Sequence, residues 1–195
     1  MFKFLLVLFC PLLICSLGLK AQTHTPKTNV TTCSMSNGYY EYLPEGYWNN
    51  PNQKFPMIIF VPGAAECGNG TASDLVRLLM HGPASLINAG TWPGSFTVNG
   101  QTYKPIVITP QFTNQPGASV FNTMLDYMVS HYKVDINRIY ISGYSMGGSL
   151  CWSYGGSGST YADRIAAMVP GAGAYSPNSN MANTIASANL PVLAI

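Results

Sequence analysis

The sequence predicts an α/β fold with a mostly parallel sheet and helices on both faces. Two observations carry this. The first is a set of short, unbroken apolar runs: Met57 to Val61 (MIIFV, between Pro56 and Pro62), Ile106 to Thr109, and Arg138 to Ser142 (RIYIS). Runs of this length without polar alternation suit strands buried on both faces of a parallel sheet. The second is what lies between them. Ser119 to Tyr132 places Val120, Met124, Tyr127, Met128 and Tyr132 at helical spacing. Strands alternating with helices in this way give a parallel sheet with crossover helices.

The remaining elements follow in chain order. Gln22 to Ser36 is polar, Thr-rich and aperiodic, so 22–37 is expected to be a linker or a frayed start. Gly38 to Leu43 is a strand, closed by Pro44-Glu45-Gly46. Ala72 to Met80 and Ser85 to Ala89 are short helices, and Gly90 to Lys104 is a loop with a tight turn at Asn99-Gly100. After the strand at Arg138 come a helix from Met146 to Tyr154, a strand from Ala166 to Val169, a helix from Ala182 to Ala188 and a fifth buried strand opening at Val192. Residues 38–195 form one domain, and a chain of 195 residues can bury a substantial core. A central strand needs neighbours on both sides, so the apolar end Leu190 to Ile195 is expected to continue into further chain.

The N-terminus has a different character. Met1-Phe2-Lys3 is a short positive start, and Phe4 to Leu19 is nearly all apolar, interrupted by Pro11 and Ser16. Ala21 is small enough to precede a signal-peptidase cut, so residues 1–21 are expected to be a secretory signal peptide. A spanning helix needs about 20 apolar residues, and Phe9 and Ile14 before Cys10 and Cys15 do not suit a lipoprotein anchor. Cleavage takes two of the nine basic residues, Lys3 and Lys20, leaving seven against seven acids. A chain without clustered Lys and Arg offers nothing to nucleic acid or anionic lipid. Charged residues are only 8% of the chain, the polar surface coming from Gly, Ser, Thr, Asn and Tyr, as is common in exported proteins. Cys33, Cys67 and Cys151 remain, allowing at most one disulfide and matching no zinc spacing.

The chemistry centres on Gly143-Tyr144-Ser145-Met146-Gly147, a G-x-S-x-G pattern between a strand and a helix. A strand that turns directly into a helix holds the serine in a strained conformation, so residues two positions away on each side must be small. Gly143 and Gly147 meet that need, and Gly148 lets the helix approach the sheet. Ser145 then stands at a helix N-terminus, where free N–H groups favour a developing oxyanion. The second half of such a site is the loop directly after the strand Met57 to Val61, Pro62-Gly63-Ala64-Ala65-Glu66. The expected oxyanion donors are the backbone N–H groups of Ala64 and Met146. Glu66 precedes the nucleophile and is expected to stabilise its own loop, and Cys67 to be structural. No metal or organic cofactor is implied.

Taken together, YYEYLPEGY, FPMIIFVPGAAECGNG, HGPASLI and VDINRIYISGYSMGG resemble the secreted α/β-hydrolase esterases around the feruloyl esterases and polyhydroxyalkanoate depolymerases, and a related group called predicted peptidases. The likeness runs from about 38 to 195. It implies a serine carboxylic-ester hydrolase acting on small or polysaccharide-linked esters such as feruloyl groups. That group's oxyanion loop usually reads His-Gly-x-Gly-Glu; here Pro62 and Ala65 depart from it.

The resemblance also implies a triad in the order Ser, acid, His. After Ser145 the chain holds one acid, Asp163, and no histidine. Asp163 is expected at the wrong end of the sheet. His24 is in the expected linker, His81 matches a position that the resemblance implies is not catalytic, and His131 is on the helix at the far end from the elbow, so none is expected to be the base. The catalytic Asp and His are expected beyond Ile195, and a chain ending there is expected to be inactive. A peptidase on the same scaffold and a non-catalytic binding module are the alternative readings. Trp92, Trp152 and Tyr144 are candidates for lining the pocket.

Overall fold

The computed structural model describes residues 23–174 and 177–195. The expected signal peptide lies outside the described residues. Among the described residues eight strands form: β1 (Thr23–Cys33), β2 (Ser36–Leu43), β3 (Phe55–Val61), β4 (Phe96–Val98), β5 (Gln101–Tyr103), β6 (Ile106–Phe112), β7 (Val134–Tyr144) and β8 (Ala167–Gly171). The helices are α1 (Ala72–Leu75), α2 (Gly82–Asn88), α3 (Ala118–His131), α4 (Met146–Gly156), α5 (Ser159–Ala162) and α6 (Ser179–Ser187), with 3-10 turns at Ala64–Glu66 and Val76–Leu79. No helix among the described residues is long and apolar enough to cross a membrane.

Six strands make one sheet in the order β1-β2-β6-β3-β7-β8. β3 pairs in parallel with both β6 and β7, β7 pairs in parallel with β8, and β2 runs antiparallel to both β1 and β6. This is the expected α/β architecture with an antiparallel edge. The three apolar runs of the sequence occupy its centre: Met57, Ile59, Ile106 and Ile108 are fully buried, and Ile139 and Ile141 nearly so. These residues point to the face covered by α3 and α4, whose Phe121, Met124, Leu125, Leu150 and Tyr154 complete the core. Phe60 points to the other face and lies against Gly82 at the start of α2, where a Cβ would fall 2.4 Å from its ring.

Two expectations need correction. The linker expected over 22–37 is corrected for its described residues: Thr23–Cys33 is β1, paired from Thr23↔Leu43 to Thr28↔Gly38. An edge strand needs no apolar alternation, and its Thr-rich composition is β-branched and favourable for extended backbone. Pro26 and Lys27 are residues that edge strands tolerate. A register shift follows Thr28, where Asn29 turns to φ 54°. The Gly90 to Lys104 segment is more ordered than a loop, forming the β4–β5 hairpin. Its turn is at the expected dipeptide, Asn99 and Gly100 both having positive φ (50° and 77°), as a type I′ turn requires.

The expected fifth strand is only partly formed. Val192 bridges Met168 in parallel, and backbone hydrogen bonds link Pro191, Leu193 and Ile195 to β8 and the residue after it. Cys33, Cys67 and Cys151 are all free thiols.

Candidate active site

The carboxyl ends of three neighbouring strands are in register: Val61 pairs with Gly143, and Tyr144 with Gly171. The loops leaving β3, β7 and β8 therefore meet at one edge of the sheet. Chain order also reverses there, since β3 is followed on one side by β6 and on the other by β7. Open α/β sheets place their ligand sites at such points.

Ser145 stands on the turn from β7 into α4 with φ 54° and ψ −110°. No helix or strand has these angles, and a non-glycine residue held there costs about 1–3 kcal/mol. The surroundings impose them. A Cβ at Gly143 would fall 2.4 Å from the Gly147 carbonyl carbon, and one at Gly147 would fall 1.9 Å from Val61 O. At Gly148 it would meet Gly171 O at 2.3 Å. Each glycine of the motif thus marks a place where two backbones touch. The Ser145 N–H donates to Gly171 O at 2.9 Å, tying the elbow to β8. Met146 is the first residue of α4, so its N–H has no acceptor within the helix and points at the N-terminal end with the helix dipole behind it.

The loop after β3 enters a 3-10 turn at Ala64. Gly63 lies against the elbow: a Cβ there would sit 3.4 Å from Tyr144 Cδ1 and 3.7 Å from Ser145 Cβ. The Gly63 N–H is consumed by Glu66 Oε2 at 2.6 Å. Glu66 accepts from the residue three before it, the reverse half of a capping box, and is only 2% exposed. Ala64, the first residue of the turn, is exposed and its N–H faces no partner in the turn. The expected loop-stabilising role of Glu66 is thus visible in its geometry.

Sequence reasoning missed two supports of the site. Gln111, fully buried at the end of β6, donates from Nε2 to Glu66 O at 2.9 Å and to Asp74 O at 2.8 Å. Its Oε1 accepts from Gly70 N–H at 3.0 Å. The available signal was a lone amide inside the apolar stretch Ile106–Phe112. Ser149, fully buried in α4, accepts the Ala174 N–H on its Oγ at 2.8 Å and so holds the loop after β8.

None of the three histidines hydrogen-bonds Ser145. His24 packs at a tilt against Tyr40 in the edge hairpin, and burial lowers its pKa. His131 closes α3, with Nδ1 2.8 Å from Tyr127 O. His81 Nδ1 donates to Glu66 Oε1 at 2.7 Å, and its ring stacks on Tyr144 at 5.8 Å. Asp163 is exposed at the end of α5, before the amino end of β8 and away from the elbow. Of the lining candidates, Tyr144 is at the site and 48% exposed. Trp152 is partly buried against the core and the Gly173 backbone. Trp92 packs with Tyr42 and Phe96 by the hairpin instead. Cys67 places its Sγ 3.7 Å from Met146 Sδ, and burial together with the neighbouring Glu66 raises its pKa. Among the described residues no group of three or more His, Cys, Asp or Glu could hold a metal ion.

With this geometry in hand, the chain is comparable to solved structures. It is similar to a thermostable esterase, at 16% identity and a TM-score of 0.57, with 90% of this chain and 46% of that one covered. It is similar to the feruloyl esterase module from Clostridium thermocellum complexed with sinapinate, at 19% identity and TM-score 0.55, covering 89% and 66%. It is also similar to S-formylglutathione hydrolase FrmB from Staphylococcus aureus, at 14% identity and TM-score 0.52, covering 86% and 67%. The fold is therefore that of the α/β-hydrolases. The chain spans about half the length of the first of these proteins and two thirds of the other two. No protein-family description matches the chain, and no curated protein matches it in sequence.

Proposed function

We propose that the protein is a secreted serine hydrolase that cleaves carboxylic esters, with acyl or feruloyl groups on polysaccharide as the substrate class. The observation that carries this is Ser145 at φ 54° on a turn walled by Gly143, Gly147 and Gly148. Backbone strain of about 1–3 kcal/mol, here held by three steric contacts, is the kind stored at functional sites. It presents the Ser145 Oγ at a helix N-terminus, whose free N–H groups favour a developing oxyanion.

The reaction assigned to the site is acyl transfer in two halves. Ser145 Oγ attacks the ester carbonyl carbon while a histidine takes its proton. The carbonyl oxygen becomes an oxyanion, accepted by the N–H groups of Ala64 and Met146. Loss of one such donor typically costs about a hundred- to a thousandfold in rate. The alcohol departs with the proton from histidine, leaving an acyl-Ser145 ester. Water attacks this acyl group by the same route and releases the acid. The base and its orienting acid are assigned to residues C-terminal to Ile195, because none of His24, His81 and His131 hydrogen-bonds Ser145 and Asp163 lies at the opposite end of β8. A chain ending at Ile195 is expected to lack turnover.

The ester class rests on the esterases of similar fold and on the resemblance of residues 38–195 to feruloyl esterases. Export rests on residues 1–21. The test is labelling of the full-length protein with a fluorophosphonate probe and location of the adduct by mass spectrometry. A Ser145 adduct, with turnover of a p-nitrophenyl ester far above a peptide anilide, is the expected result. No adduct on a folded protein overturns the hydrolase reading, and preference for the anilide converts it to a peptidase.

A further inference from the structure

The serine-hydrolase reading leaves a buried carboxylate beside the elbow, Glu66, without an assigned part in the reaction. Glu66 is almost completely buried, and burying a carboxylate is costly unless its oxygens are paired. Both are: Oε2 accepts the Gly63 N–H at 2.6 Å and Oε1 the His81 Nδ1–H at 2.7 Å. The two partners lie against different parts of the elbow. The Gly63 backbone abuts Ser145 and Tyr144, and the His81 ring stacks on the Tyr144 ring. His81 leaves the chain at the N-cap of α2, so the pair also joins a third segment to the site.

We propose that Glu66 and His81 form a clamp that positions the oxyanion hole, resting on the reading of Ser145 as nucleophile. By accepting the Gly63 N–H, Glu66 fixes the plane of the Pro62–Gly63 peptide, one step before the peptide that carries the Ala64 N–H. The next N–H in the chain, that of Ala64, is thereby left as the loop's donor. His81 secures the far oxygen of the carboxylate and braces the ring of Tyr144, so the two donors, one in the loop and one at Met146, keep a constant separation. Gln111 holds Glu66 by its carbonyl and leaves the carboxylate free for this task. Where the resembled pattern has a polar His, Pro62 supplies no polar side chain, so orientation of the loop falls to Glu66.

Neither residue contacts the reacting atoms in this scheme; both are positioning residues. A clamp of this kind acts when charge develops on the carbonyl oxygen and should therefore appear in kcat with KM nearly unchanged. In the full-length protein Glu66→Leu removes both hydrogen bonds and is expected to lower kcat about 100-fold, the range seen for loss of an oxyanion donor. Glu66→Gln keeps an acceptor for Gly63 and a polar partner for His81, and should retain kcat to within about tenfold. At the half-exposed His81, two variants separate ring from hydrogen bond. His81→Phe keeps the ring on Tyr144 and loses the bond; His81→Asn keeps a donor for Glu66 and loses the ring. The expected order of kcat is parent, then His81→Asn, then His81→Phe, with inhibition by a trifluoromethyl ketone, which mimics the tetrahedral oxyanion, weakening in parallel.

Folded Glu66→Leu and His81→Phe variants with kcat within threefold of the parent overturn the clamp, as do losses confined to KM. If Glu66→Leu does not fold, the two His81 variants decide. Ser145→Ala on the same ester separates the two levels. Parental turnover in that variant removes the nucleophile reading and the clamp with it. Abolished turnover beside unchanged Glu66 and His81 variants removes the clamp alone.

Discussion

The two halves of the site are held by opposite means. The elbow is shaped by what is absent: Gly143, Gly147 and Gly148 lack a Cβ where backbone lies within 1.9–2.4 Å of its position. The oxyanion loop is shaped by what is present: Glu66 and Gln111, both buried, make five hydrogen bonds through their side chains and the Glu66 carbonyl. Steric exclusion permits one conformation or none. Hydrogen bonding grades more gently, since a lost partner leaves an unsatisfied group and not a collision. The elbow should accordingly fail sharply under substitution and the loop by degrees.

The sharpest break is at the nucleophile. Ser145→Ala leaves both halves standing and removes the attacking atom. Ester turnover by the full-length protein is expected to fall on the order of 10⁴-fold or more, leaving what binding and oxyanion stabilisation supply alone. A steady-state assay checks it, with circular dichroism to show an unchanged fold. Gly147→Ala is the next test and probes the steric half. Its Cβ would fall 1.9 Å from Val61 O, and neither strand nor helix can yield without losing register. Destabilisation of at least about 3 kcal/mol is expected, or roughly 6–12 °C in Tm for a domain of this size. A Tm within 2 °C of the parent would show that the elbow has slack.

This contrast also explains what could be read in advance. The elbow was legible because its constraint is local: five consecutive residues between an apolar strand and a helix determine it. The central strands were legible for the same reason, each of the three runs being apolar throughout. The loop was legible only in part. Ala64 could be placed by its position after β3, but Gln111 lies 45 residues from the carbonyl it holds, and nothing local distinguishes it. His81 is 15 residues from Glu66, and the resemblance marks its position only as non-catalytic. β1 was missed because an edge strand is specified by pairing and not by burial. Its residues are polar and mostly exposed or half-buried, and the information that makes them a strand resides in β2.

Gln111→Leu tests the graded half. It leaves the Gly70 N–H and the carbonyls of Glu66 and Asp74 without their partner inside a buried site. A single unsatisfied group costs about 1–3 kcal/mol, and leucine recovers part of this by apolar burial. A net loss of about 2 kcal/mol is expected from urea denaturation with an unchanged m-value. The loss should be smaller than that of Gly147→Ala although three hydrogen bonds are removed against one methyl group added. The reverse order would mean that the loop is the more rigid half.

The smallest effect is a difference in thiol reactivity between the two halves. Cys67 follows Glu66 in the loop and is half-buried, whereas Cys151 lies in α4 behind the elbow and is fully buried. Burial and then the Glu66 charge raise the Cys67 pKa, and burial pushes that of Cys151 up to about 12. The thiolate is the reactive form, so a raised pKa lowers the reactive fraction at any pH below it. With a disulfide reagent at pH 8, Cys67 of the native protein should react slower than a free thiol, and its rate should still be rising where a free thiol has levelled off, above about pH 8.5–9. Cys151 should react only on unfolding, because no opening of the loop exposes α4. Glu66→Gln removes the neighbouring charge and should speed Cys67 without changing Cys151. Equal acceleration of both thiols would mean that the loop and the elbow open together, and that the two modes of support are one cooperative unit.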